Sequence, residues 1–263
     1  MSPSPIDATT ALAAPTPALV DPAGRARAAV ARWLPASILA RLTPPERLFL
    51  QADGVTSWPA GPDAPAIAPS AMAWLAPNRG RAVHVVLAGG FTRQILVRDP
   101  AAPLDDPATL VAWARHQFSG YYGSDALAWP CVTWVSHRQR VACALNGIDL
   151  DALRRSAAQH GVRLGSVEPW WSVALRALGR SEPERRAAPH FALALVEDTL
   201  LTWIRCEGGR IVDLAQRRLE ANTSAALTAL LAEIASPLPG DASICVGGYG
   251  LRDSGPWPDA RWV

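Results

Sequence analysis

At 263 residues, with 49% hydrophobic and 18% charged side chains, the chain can hold one large domain or two lobes around a real core. A net charge of +2 excludes a protein that grips nucleic acid with its whole surface. The longest apolar runs are about ten residues, half of the roughly 20 that a membrane-crossing helix needs.

Residues 1–22 are rich in Ala, Pro, Ser and Thr and read as a disordered tail. The tail has no basic n-region and is broken by prolines, so it does not read as a secretion signal. Residues 23–44 read as an amphipathic helical segment interrupted at Pro35. Val30, Trp33, Leu34, Ile38, Leu39 and Leu42 alternate there with Arg25, Arg27, Arg32 and Arg41. Such a basic amphipathic segment packs on its own domain or rests on an anionic membrane surface.

"ERLFLQADGVTSWPAG" (46–61) predicts a hairpin turning at Asp53-Gly54. A short helical turn is expected around "AMAWLA". "RAVHVVLAGGFTRQILVRD" (81–99) reads as a second strand pair about Gly89-Gly90. "DDPATLVAWARHQFSGYYG" (105–123) is a helix capped by Asp105 or Asp106, with Pro107 in its first turn. Two strands (129–136 and 140–146), a helix (149–161) ending at Gly161, a strand "VRLGSVEP" and a short helix "WWSVALRALG" follow.

"RSEPERRAAP" (180–189) is charged, holds two prolines and has no apolar period, so it reads as a linker between a first lobe (45–179) and a second (190–263). The second lobe opens with three strands in "HFALALVEDTLLTWIRCEGGRIVDLAQRRL" (190–219). A helix over 222–235 and a strand over 243–248 complete it. The last fifteen residues read as an irregular tail carrying Trp257 and Trp262.

Cys131, Cys143, Cys206 and Cys245 are far apart in apolar runs and read as buried thiols, not as metal ligands. The five histidines are scattered, and neither G-x-S-x-G nor HExxH occurs. No metal site and no cofactor are expected, and no catalytic residue stands out.

Antiparallel strands, a helix and a further strand, met twice, give the ribonuclease-H-like order of the actin-like ATPases. "DLDALRRSAAQHGVRLGSVEPWWSVALRAL" (149–178), "VVLAGGFTRQILV" (85–97), "VAWARHQFSGYYG" (111–123) and "ALALVEDTLLTWIRCEGGRIVDLAQRRL" resemble the pilus assembly protein PilM and the type II secretion protein L. The resemblance covers residues 45–250. It implies an α/β, two-lobed actin-like ATPase (ribonuclease H-like) fold, here with a truncated second lobe, since a last helix and strand are missing from the order.

In nucleotide-binding relatives, one turn in each lobe cradles the phosphates. Such a turn needs small residues and an acid near the magnesium. The resemblance places those turns at Asp53 and Gly54 and at Asp198 and Thr199. It places a glycine-rich turn under the adenine at Gly247 and Gly248 in "CVGGYG". Thr199, Leu200 and Leu201 follow Asp198 directly without a glycine, and the turn is shorter, so these six residues read as a degenerate site.

The expected function is a non-catalytic scaffold of a type IV pilus or type II secretion assembly platform, cytoplasmic and peripheral to the inner membrane. The resemblance implies two partners. One is the N-terminal peptide of a membrane-anchored platform protein, expected to be partly basic or apolar and to bind beside "GSVEPWW" (165–171) or between the lobes. The other is a cytoplasmic ATPase ring. The alternatives are an active ATPase or kinase of the same superfold, and a membrane-peripheral regulator attached through residues 21–42.

Overall fold

The computed structural model describes residues 46–58, 66–97, 106–136, 139–186, 188–239 and 242–253. The expected N-terminal tail, the amphipathic segment, Trp257 and Trp262 lie outside them.

The first lobe is built on a five-stranded sheet. β1 (Glu46–Gln51), β2 (Gly54–Trp58) and β3 (Ala66–Ala68) form an antiparallel meander. β4 (Ala82–Leu87) and β8 (Arg163–Pro169) add in parallel, giving the order β3-β2-β1-β4-β8. Helices α1 (Ala71–Leu75) and α3 (Leu150–Gln159) cover one face. There Leu48, Leu50, Val83, Val85 and Leu87 pack with Trp74, Leu75, Leu153 and Ala157. Leu153 and Ala157 lie four residues apart on α3, which is the spacing of one helix face. Asp149 caps that helix by accepting the N–H of Ala152 (2.8 Å).

Between β4 and α3 the chain builds a separate three-stranded antiparallel sheet. Its order is β5 (Thr92–Val97), β7 (Gln139–Leu145) and β6 (Cys131–Ser136). Helix α2 (Pro107–Tyr122) lies on it through Ala114 and Phe118, and Asp106 caps the helix. The strand pair expected about Gly89-Gly90 is therefore not a pair. β4 joins the five-stranded sheet and β5 joins the inserted one, with a single 3-10 turn (Gly89–Phe91) as the corner. Two apolar runs around a Gly-Gly fit a hairpin or a corner equally well by sequence, and the partner strands β1 and β7 decide between them.

The second lobe's sheet has the order β11-β10-β9-β12, from β9 (His190–Glu197), β10 (Leu200–Glu207), β11 (Arg210–Arg218) and β12 (Ser243–Tyr249). β12 runs parallel to β9. Four strands are described where the first sheet has five. The continuous apolar run of β9 is explained by cover on both faces. Phe191, Leu193 and Leu195 face one core, and Ala192, Ala194 and Val196 face the other, against α6 (Ser224–Ala235).

Helix α4 (Trp170–Ser181) lies between the two main sheets. Val173 and Trp170 meet Phe49 and Val86 of the first lobe, while Trp171, Ala174, Leu175 and Leu178 pack on Phe191, Leu193 and Ile204 of the second. A helix apolar around most of its circumference is one buried on two sides. The segment expected as an open linker is mostly helical: α4 runs to Ser181, and α5 (Pro183–Arg186) follows it.

Candidate functional site between the lobes

The turns singled out by sequence meet where the lobes face each other. β1 and β2 pair up to Gln51 and Gly54, which leaves a two-residue turn with Asp53 at its tip. β9 and β10 pair up to Glu197 and Leu200, which leaves Asp198 and Thr199. Asp198 carries a positive φ of 52°, a conformation that Asp tolerates better than most side chains. Burial, and then the charge of Asp53, raises the Asp198 carboxyl above its ordinary range. Asp53 and Asp198 thus point their charges into one region from opposite lobes.

One backbone donor of the second turn is already used, and one of its carbonyls is engaged. The Asp198 N–H donates to the Tyr249 carbonyl oxygen (3.0 Å), and the Thr199 carbonyl accepts the Leu219 N–H (2.7 Å). Gly247 and Gly248 do not form a turn after a strand, as the adenine-site expectation required. They lie inside β12, paired with Leu195 and Val196. Gly248 has φ 146°, and a Cβ there would collide with the Val196 carbonyl. At Gly250, φ 85°, a Cβ would collide with the Asp198 carboxylate. The glycines serve a close approach of β12 to β9, and the end of β12 wraps over the second turn.

Aromatic side chains fill the space beside these turns. Tyr249 stands edge-on to Phe49 (ring centroids 6.0 Å apart) and tilted to Trp170 (5.7 Å), and Phe49 meets Trp170 at 5.4 Å. These separations are those of favourable aromatic pairs. Burial, and then the charge of Glu197, holds the Tyr249 phenol well above its ordinary range, and the phenol is hydrogen-bonded with Gln51. Two two-residue turns, a spent N–H and an aromatic wedge do not fit a magnesium nucleotide. Among the described residues, no group of three or more His, Cys, Asp or Glu is arranged to hold a metal ion.

Glu197 is 7% exposed, and its carboxylate does a different job. Both of its oxygens accept the N–H of Gly89 from the first lobe (2.8 and 2.7 Å). The Gln216 amide of β11 donates to the Gly89 carbonyl oxygen (2.8 Å), and the Thr202 hydroxyl borders the same glycine. Burial pushes the Glu197 pKa up to about 7, against the lowering effect of the Gly89 and Gly90 N–H groups. The corner between β4 and β5 is thereby latched to the second lobe. Gly89, Thr202, Gln216, Tyr249, Phe49 and Trp170 were not singled out for this site by sequence. Trp170 entered only as part of the "GSVEPWW" stretch (165–171) expected beside a partner peptide, and a glutamine within a strand carries no signal at all.

No family model and no curated protein matches the chain. Solved structures do. A Bacteroides thetaiotaomicron protein described as having an actin-like ATPase fold and unknown function is 10% identical, with a TM-score of 0.50, over 76% of this chain and 80% of its own. The fold is that of the actin-like ATPases. The cytoplasmic domain of EpsL, an inner membrane component of the type II secretion system of Vibrio cholerae, is similar over 81% of this chain and 87% of its own (14% identity, TM-score 0.48). A chain of the PilM-PilN type IV pilus biogenesis complex is similar over 78% and 82% (13% identity, TM-score 0.48).

Proposed function

We propose that the chain is a non-catalytic actin-like scaffold of a type IV pilus or type II secretion assembly platform. It holds a segment of a membrane-anchored partner at the cytoplasmic face of the inner membrane. The observation that carries the non-catalytic part is the filled inter-lobe region. Tyr249 supplies both the carbonyl that takes the Asp198 N–H and the ring wedged against Phe49 and Trp170. On this reading a lobe pair whose second turn spends its Asp198 N–H on its own chain is not opened and closed by hydrolysis, and a differently binding ligand selects its state. The assembly-platform part rests on the segments over 85–97, 111–123 and 149–178 that resemble PilM and protein L. Fold alone does not carry it. Among the described residues no helix is long and apolar enough to cross a membrane.

Calorimetric titration tests both parts. The titrant is the N-terminal peptide of a bitopic membrane protein encoded nearby, with and without Mg-ATP. The expected result is peptide binding with one affinity in both conditions and no heat from Mg-ATP alone. Micromolar Mg-ATP binding overturns the non-catalytic part, and absence of any peptide binding overturns the scaffold part.

A further inference from the structure

The face of the first sheet that turns toward α4 carries a polar row below its aromatic part. Arg47 of β1, His84 of β4 and Ser166 of β8 stand side by side in register. One step along the strands come Phe49, Val86 and Glu168. From α4, Arg176 and Arg180, one helical turn apart, reach the same region.

The charges in this row do not balance. Among the described residues Glu168 is the carboxylate whose charge acts on Arg47, and it is engaged: it is ion-paired with Arg176 and accepts the Ser166 hydroxyl (3.2 Å), which in turn contacts the His84 ring. Burial acts to raise the Glu168 pKa, and the hydrogen bond and charge of Arg176 outweigh it, so the group sits below its ordinary value. Arg47 is left with like charges. Its Nη1 is buried and has no hydrogen-bond partner among the described residues. Burial first, then the Arg176 charge, lowers its pKa, with Arg180 adding to the effect. A buried guanidinium nitrogen without a hydrogen-bond partner is costly unless something supplies an acceptor. Arg47 keeps part of its surface exposed, and Arg176 and Arg180 are exposed, so an anion has access.

We propose that Arg47, Arg176 and Arg180 form a receptor for the carboxylate of an acidic protein segment laid over the first lobe beside residues 165–171. Three guanidinium groups offer planar forks that match a carboxylate, whereas a phosphate site would draw on backbone N–H groups or a helix N-terminus. The N-terminus of α4 is at Trp170, about ten residues and so about 15 Å of helix from Arg180. Glu168 also repels a dianion more strongly than a monoanion. Residues 1–45 carry Arg25, Arg27, Arg32 and Arg41 against Asp7 and Asp21, a net positive charge. The segment is therefore acidic at this point, not basic. The protein nature of the ligand rests on the scaffold reading; the oxyanion site does not.

Thermal unfolding of the full chain tests the site with three probes at one ionic strength: a terminally blocked hexaglutamate peptide, its hexaglutamine counterpart and inorganic phosphate. The expected result is a rise in Tm of about 2–4 °C with the glutamate peptide at ten times its Kd. The rise is expected to vanish in Arg47→Met and in the surface pair Arg176→Gln/Arg180→Gln. Arg47→Met is expected to unfold no earlier than the parent without ligand, because it removes an unpartnered buried nitrogen and a repulsion with Arg176 and Arg180. A glutamine peptide that works equally well, an unchanged response in the variants, or a large drop in the ligand-free Tm of Arg47→Met overturns the proposal. A phosphate response equal to or above that of the peptide also overturns it, by making the site one for free phosphate. These outcomes are independent of the partner titration, so failure of the scaffold reading is seen separately.

Discussion

Both main sheets place their first four strands in the same order, 3-2-1-4 in each lobe's own count, with the fourth strand parallel to the first. What the lobes do with that plan differs. In the second, β9 is buried along seven of its eight residues and is covered on both faces. In the first, the plan is opened by an inserted sheet, a fifth strand and a polar row under α4. All the exposed large hydrophobic residues among those described (Met72, Tyr121, Tyr122, Leu127 and Val132) belong to the first lobe. Four of the five lie on the inserted sheet and its helical cover. One frame thus yields a closed block that seals the space between the lobes, and a second body that presents surfaces.

The strongest way to break this contrast is to remove the seal. Tyr249→Ala deletes the ring packed against Phe49 and Trp170, and a loss of about 2–3 kcal/mol in urea unfolding is expected for a partly buried aromatic. If the two lobes are held as one unit, the transition stays single and shifts as a whole. A loss below about 1 kcal/mol, or a split in which only one lobe melts early, would show that the ring does not join them.

The latch at Gly89 gives the next effect. The folded state keeps a proton on Glu197 up to about pH 7, while the unfolded chain releases it near the ordinary value of 4.5. The folded pKa is raised, so this group's contribution to stability is full below pH 4.5, falls as pH rises toward 7 and is flat above it. The total swing is expected to be about 1–3 kcal/mol. Glu197→Gln keeps a carbonyl for the Gly89 N–H and removes the titration, so its stability should vary less across that window. An identical slope in the variant would assign the pH dependence to other groups.

The smallest effect is expected at the turn itself. Asp198→Asn keeps a side chain that tolerates positive φ and removes the repulsion with Asp53. Its stability at neutral pH should lie within about 0.5 kcal/mol of the parent, on the favourable side. Partner binding should be unchanged. A variant that folds equally well but loses function would place Asp198 in a working site and undo the distinction between sealed and open lobes.

Much of the frame was legible in the residues. The cap at Asp106 is one of the two Asp positions expected for it, and the caps at Asp149 and Thr223 are residue types that favour a helix start. The apolar periods of 149–161 and 190–219 gave the right elements, because helix and strand periods are local properties of the chain. The shortness of the second turn was legible too, from Leu200 following so soon after Asp198. What the residues alone did not decide was which strands pair and what meets across the gap. "VVLAGGFTRQILV" reads as a hairpin until β1 and β7 claim its two halves. "CVGGYG" reads as a ligand turn until β12 is seen pressed on β9. Arg47, Arg176 and Arg180 are 129 or more positions apart from first to second, and only the sheet register and the path of α4 bring their charges together. Such contacts depend on long-range packing, in which each side chain's environment is set by segments far away in the chain, and a local pattern carries no record of them.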